Sequence, residues 1–241
     1  MNQAHPSLPP GQIARTTFDR FGLGLFANRF PTSPSLIRIE IAGDVEKPAV
    51  VENQIFNLPR IEQISDFHCV TTWSVLALKW GGFRFSDFYE RIVVPLAAPR
   101  TGASFVVLKG QDGFRVSMQL QDLLQPDVLL ADSLNDEPLG IAHGAPLRLV
   151  APAHYGYKNM KHICAIEFWT DGRHYSFPFP YPNLMDHPRG RVAYEERAKL
   201  IPGAWIRILY RALIPLARRK SRKALERYMG KGNEINQSDR R

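Results

Sequence analysis

Between residues 36 and 169 the chain is written mostly in short tracts of alternating apolar and polar residues, each cut off by glycine, proline or aspartate. The tract 36–45 alternates at period two and ends in Gly-Asp, which predicts a strand followed by a turn. Residues 58–74 read as another short strand leading into a loop, and 146–152 and 161–169 as two further strands. Tracts 104–110 and 113–120 flank Gln111-Asp112-Gly113, the best hairpin signal in the chain, and 133–140 is a turn. Helical spacing is confined to three places. In 84–93, Phe85, Phe88, Tyr89 and Ile92 share a face, with Ser86 as N-cap and Pro95 as stop. A short helix fits 121–131, and the pattern turns helical again from Val192. Short strands with few helices between them argue against a regular βαβ array and predict an α+β domain with a β-rich core.

Composition narrows the class. With 44% hydrophobic and 22% charged residues over 241 positions, the chain can bury a sizeable core, which excludes a disordered chain or a fibre. The most apolar tract, 204–217, contains Arg207 and Arg211, so no spanning helix is expected. The opening residues lack a basic n-region and an apolar h-region, giving an expectation of a cytoplasmic protein. The expected organisation is a flexible lead-in at 1–17, a main domain at 18–188 ending in the extended, proline-dense stretch 176–190, and a basic amphipathic helical tail at 189–241.

Charge is unevenly placed: 15 of the 31 Lys/Arg but only 5 of the 23 Asp/Glu lie in residues 189–241. The rest of the chain is slightly acidic, so the body is not a nucleic-acid platform. In the tail, Leu200, Ile201, Ala204, Trp205, Ile208, Leu209, Ala212, Leu213 and Leu216 form an apolar stripe, and Pro215 divides the helix into two pieces. Three readings stand open for it. It docks on its own domain, it lies on an anionic membrane surface through residues 200–227 at the inner face of the membrane, or it binds an acidic redox partner or nucleic acid.

Two cysteines, Cys69 and Cys164, do not make a disulfide framework, and no CxxC or HExxH pattern is present. Cys69 sits in a run rich in small hydroxyls, aromatics and glycine. Either it is a buried core thiol, the commonest fate of a free cysteine, or an accessible thiolate held ionised by a positive neighbour or a metal. Arg148, Lys158 and Lys161 lie near a glycine-proline loop and a Tyr-Gly-Tyr turn. They are either solvated or set for a phosphate, and His143, His154 and His162 are open to the same plain reading.

Two motifs taken together go further. The run 66–74 (Asp-Phe-His-Cys-Val-Thr-Thr-Trp-Ser), with Trp80-Gly81 beyond it, resembles the cysteine motif of sulfite-oxidase-type molybdopterin domains. The second signature is matched by His143-Gly144-Ala145-Pro146-Leu147-Arg148-Leu149-Val150, continuing through Tyr155-Gly156-Tyr157-Lys158 and Lys161 to Ile166-Glu167-Phe168. The likeness spans roughly 20–170 and points to the branch holding catalytic subunits of protein-methionine-sulfoxide reductases.

That resemblance implies a β-rich mixed fold, a molybdenum-bearing molybdopterin, and Cys69 as its catalytic metal ligand. It implies cofactor contacts at His68, His143, Arg148 (at the pterin phosphate), Tyr157, Lys158, Asn159, Met160 and Lys161. Asn28 and Arg29 match a polar cofactor loop more loosely, and Lys109 belongs to a loop near the metal. The expected activity is oxygen-atom transfer, such as S-oxide or N-oxide reduction, with a separate electron-transfer partner because no haem motif is present. Two departures stand out. Thr72 replaces a usual glycine, and the arginine-containing run that follows the cysteine in sulfite oxidases is missing, which disfavours an anionic substrate such as sulfite. The rivals are a same-fold oxidoreductase acting on sulfite or another small molecule, and a cofactor-free binding or membrane-associated scaffold.

Overall fold

The computed structural model describes residues 8–238 apart from 21, 23, 180 and 182. Two sheets carry the fold. The first is organised around β5 (Trp73–Arg84), which pairs antiparallel along one edge with β4 (Arg60–Cys69) from Arg60↔Phe83 to Cys69↔Trp73. The other edge of β5 takes β1 (Ile13–Arg15) in parallel at its start and β8 (Leu129–Leu134) antiparallel at its end. β9 (Glu137–Pro138) and β10 (Arg148–Val150) both pair with β8.

The second sheet has the order β3-β2-β11-β6-β7, formed by β2 (Ile39–Gly43), β3 (Ala49–Val51), β6 (Phe105–Gly110), β7 (Arg115–Gln119) and β11 (Ile163–Trp169). Only β2 and β11 run parallel there. The hairpin at Gln111-Asp112-Gly113 forms as its turn chemistry predicts, with Gly113 at φ 82°. A main core of aliphatic and Phe side chains, including Ile39, Phe83, Phe85, Leu108 and Ile166, is shared by both sheets. A smaller cluster of Phe67, Cys69, Trp73, Trp80 and Val150 underlies the β4–β5 turn.

Several expectations need correction. Residues 13–15, assigned to a flexible lead-in, form β1, with the Ile13 N–H donating to the Thr72 carbonyl. Residues 1–7 lie outside the described residues. The expected loop after Cys69 is a turn of three residues into the longest strand, β5. Its period-two signal is erased because both faces are buried over much of its length. The helix at 84–93 starts without a side-chain cap from Ser86 and passes Pro95. It runs as α1 (Phe85–Phe88), a π turn (Tyr89–Val93) and α2 (Val94–Ala97). Pro95 sits in the first turn of α2, where a missing N–H costs little. The helix expected at 121–131 shrinks to α3 (Leu120–Leu123).

The C-terminal segment is tied to the body. Tyr155 and Val192 backbone N–H groups donate to Gly190 and Ala153 carbonyls, Arg189 pairs with Asp122, and buried Arg197 donates to the Val70 carbonyl at 2.6 Å. α4 (Gly203–Ser238) continues through Pro215 instead of breaking there. It buries Ile206, Tyr210, Ile214, Ser221 and Ala224, a stripe rotated from the expected one. Trp205, Ile208 and Leu209 face outward instead. Two apolar stripes compete on this helix, and contact with the body selects the one carrying Tyr210.

Gly82 marks the tightest point of the β5–β8 pairing, where a Cβ would meet the Leu130 carbonyl oxygen and the Ala131 backbone. Gly82→Ala is therefore expected to destabilise the chain by about 2 kcal/mol through overpacking, read as a lower urea midpoint. Gly140→Ala, which meets nothing within 4 Å, serves as the neutral control.

Candidate active site

The β4–β5 turn places Cys69 on the wall of a cavity whose other walls come from distant parts of the chain. Phe18, Arg20 and Phe26 reach it from the N-terminal segment, Asp112 and Phe114 from the β6–β7 hairpin, and Tyr157 to His162 from the loop before β11. Met185, from the turn Asn183–Met185, and Tyr210 of α4 close the remaining side. Thr72 holds the turn at φ 74°, its N–H donating to the Cys69 carbonyl at 3.2 Å. This left-handed backbone suits glycine, which explains the residue type usual at this place in the resembled motif.

Cys69 is 6% exposed, and its Sγ lies 3.0 Å from the Thr71 hydroxyl. Burial pushes its thiol pKa up, against a smaller lowering by the Thr71 hydrogen bonds. A thiol raised in this way is a poor free nucleophile. A metal replaces its proton outright, so the site suits ligation better than unaided attack. Among the described residues no group of three His, Cys, Asp or Glu side chains could hold a metal by itself, so further ligands would come from a cofactor.

Positive charge gathers around the same cavity. Arg20 and Lys161 both line it, and Arg148 is fully buried behind its aromatic wall, with its guanidinium 5.6 Å from the Phe67 ring centre and 4.9 Å from that of Trp80. Burial, then Arg148 and Arg20, bring Lys161 down to about 7, and burial brings Arg148 down to about 9. Asp19 and Asp112 line the same cavity; Asp19 pairs with Arg218, and burial raises the pKa of Asp112, weakening it as a counter-charge. Nη2 of Arg148 and Nδ1 of His143 are buried without a hydrogen-bond partner among the described residues. Arg20 donates to the carbonyls of Phe26, Ala27 and Arg29, and Lys161 to that of Ala142; cations held this close and this dry suit an anion beside them. A phosphate-bearing cofactor with a metal at Cys69 fits both the charge and the donor set.

The structure brings Cys69, Tyr157, Asn159, Met160 and Lys161 of the expected set to this cavity. Asn159 also braces its own loop, accepting from the Ala151 N–H at 2.7 Å and donating to the carbonyls of Ala151, His154 and Tyr155. The others lie elsewhere. His68 points to the opposite face of β4, where Nδ1 contacts the Ser74 hydroxyl at 2.7 Å in a network reaching Gln12. His143 stacks on Phe18 at 4.7 Å, and its carbonyl accepts from Arg148. Lys158 is buried against Asp186 at 2.6 Å and donates to the Ser117 carbonyl. Lys109 pairs with Glu167, Asn28 is exposed, and Arg29 lies over Phe26.

Arg20, Asp112, His162 and Tyr210 line the cavity without having been singled out for it from sequence. For Arg20 a signal existed, a cation inside an aromatic- and glycine-rich loop. For Tyr210 there was none, because only the docking of α4 brings it there.

Comparison with known proteins gives one family and several relatives. The sequence profile of the oxidoreductase molybdopterin binding domain matches residues 27–176. An uncharacterized oxidoreductase of Bacillus subtilis, YuiH, is 32% identical over 67% of this chain and 78% of its own length. The protein-methionine-sulfoxide reductase catalytic subunit MsrP of Campylobacter jejuni is 32% identical over 66% of this chain. A putative protein-methionine-sulfoxide reductase subunit of Azospira oryzae, YedZ1, is 31% identical over 54%. The matches span 61% and 47% of the length of those last two proteins. The solved sulfane dehydrogenase SoxCD of Paracoccus pantotrophus aligns at TM-score 0.49 and 21% identity, over 56% of this chain and 38% of that one.

The buried bases set a pH dependence. His143 and His162 titrate near 4 in the folded chain because burial disfavours their charged forms, against 6.5 ordinarily. Between these values the unfolded chain binds more protons, so the histidines' contribution to stability is complete above about 6.5 and is lost as pH falls toward 4. Lys161 extends the same upward slope from about 7 toward 10.5. Urea midpoints of the cofactor-free chain should therefore rise with pH across the acid window, whereas above about 9 the Cys69 and Cys164 thiols, whose pKa values burial raises, oppose the Lys161 slope. His143→Phe, which keeps the stacking on Phe18, should flatten the acid limb.

Proposed function

The chain belongs to the oxidoreductase molybdopterin-binding domain family, and from that premise we propose that it reduces an S-oxide or N-oxide by oxygen-atom transfer, with Cys69 as ligand to molybdenum. Family membership makes molybdopterin the cofactor and the protein an oxidoreductase, in place of a cofactor-free scaffold. The observation that carries the finer reading is the meeting of a buried cysteine with two cations, Arg20 and Lys161, in one cavity. When bound, the molybdenum cofactor supplies a two-electron centre that can accept or give up an oxygen atom.

The protein's own groups have separable roles. Cys69 gives up its proton to become a metal ligand, and the Thr71 hydroxyl, 3.0 Å from Sγ, tempers the charge on sulfur. Arg20 and Lys161 would hold the cofactor phosphate, whose charge would balance theirs. Phe18, Phe26, Phe67, Phe177, Met160 and Met185 give the cavity an apolar lining that excludes water. With Arg20 and Lys161 taken up by the cofactor phosphate, the apolar lining left to the substrate would favour an uncharged sulfoxide over a sulfite anion, whose desolvation it would not repay. The relatives named as methionine-sulfoxide reductase subunits support the same substrate class. Electrons would arrive from a separate donor protein.

The test is an assay with a reduced viologen dye as donor and methionine sulfoxide or an N-oxide as acceptor, using protein from a host that makes the cofactor. The reading predicts turnover with these oxides and little with sulfite and an oxidised dye. Loss of groups around metal ligands alone costs about 10–100-fold, so Cys69→Ser should lower turnover by about 100-fold or more. Sulfite oxidation at the greater rate, or full activity in Cys69→Ser, would contradict it.

A further inference from the structure

α4 has a second surface that neither the cavity nor the core uses. Its inward side is occupied by Ile206, Tyr210, Ile214, Ser221 and Ala224. On the opposite side Trp205 is 74% exposed, Ile208 71% and Leu209 55%. At 3.6 residues per turn, Arg219 and Lys223 continue along that same outer line beyond Pro215, with Lys220 and Arg222 beside them, and all four are exposed. The acidic residue among them, Glu226, stands 3.7 Å from Arg222. A helix that only docks on its own domain carries a polar outer face. This one presents an apolar patch in its first turns and a cationic patch in the next.

We propose that the outer face of α4 is a docking surface for an anionic lipid bilayer. Trp205, Ile208 and Leu209 enter the boundary between headgroups and acyl chains, and Arg219, Lys220 and Lys223 rest on lipid phosphates. Charge complementarity selects this occupant, because the patch combines cations with an aromatic suited to the interface. The helix lies on the surface and does not cross it, since no described helix is long and apolar enough to span. The surface falls outside residues 27–176, the part matched to the family. It is independent of the reaction at Cys69, and the two can fail separately.

The experiment is co-sedimentation of the full 241-residue chain with vesicles of phosphatidylcholine containing phosphatidylglycerol, and with phosphatidylcholine alone, while tryptophan emission is followed. The other described tryptophans are buried or half-buried, so a blue shift reports on Trp205. The expected result is binding to the anionic vesicles only, weakened by salt, with a blue shift. Trp205→Glu with Ile208→Glu should abolish it. Arg219→Gln with Lys223→Gln should weaken it by about fivefold for each charge removed. All four positions are exposed, and circular dichroism checks that the fold persists. No binding to anionic vesicles, equal binding to neutral ones, or binding that survives the double Glu variant would overturn the proposal. So would lipid-free dimerisation lost in that variant, which would assign the face to a second copy.

Discussion

The pairing of β4 with β5 is the constraint on which the rest of the site depends. Nine register partners lock the two strands from Arg60↔Phe83 to Cys69↔Trp73, and β5 in turn anchors β1 and β8. Because side chains alternate along a strand, this register sends Phe67 and Cys69 to the cavity and His68 away from it. The entry to the turn is held from outside. Gln12 donates to the Cys69 carbonyl, and Arg197 donates to the Val70 carbonyl. The cysteine backbone is thus fixed by side chains from both ends of the sequence, and its sulfur faces the cavity beside the Thr71 hydroxyl.

A second feature pulls against stability. Arg20, Arg148 and Lys161 are brought together in a dry place where one of the two cavity carboxylates, Asp112, is weakened by burial and the other, Asp19, pairs with Arg218. Elsewhere the fold pairs its buried charges, as Lys158 with Asp186 shows. An uncompensated cluster beside a cavity is the mark of a binding site whose ligand completes it, and a bound anion stabilises the folded chain by mass action.

How much was legible in the sequence can be seen residue by residue. Cys69, Tyr157, Asn159, Met160 and Lys161 are local to their motifs, and all five line the cavity. His68 could have been set apart, because a neighbour of Cys69 on a strand faces the other way. Lys158 could not, since its partner Asp186 comes from a proline-dense stretch with no regular pattern. The hairpin at 110–114 was readable from turn chemistry, whereas β5 was hidden by burial on both faces. On α4 two stripes were equally helical in period, and only the body's shape chooses between them.

The most direct test of the account is the coordination of the metal itself. Molybdenum and pterin contents, with molybdenum X-ray absorption, should be measured on the wild-type chain and on Cys69→Ser from a cofactor-competent host. The account predicts stoichiometric metal and pterin in the wild type. In the variant the pterin should be retained, with one sulfur neighbour fewer at the metal. An unchanged sulfur shell in the variant, or wild-type protein that folds without metal or pterin, would contradict it and return Cys69 to the role of a core thiol.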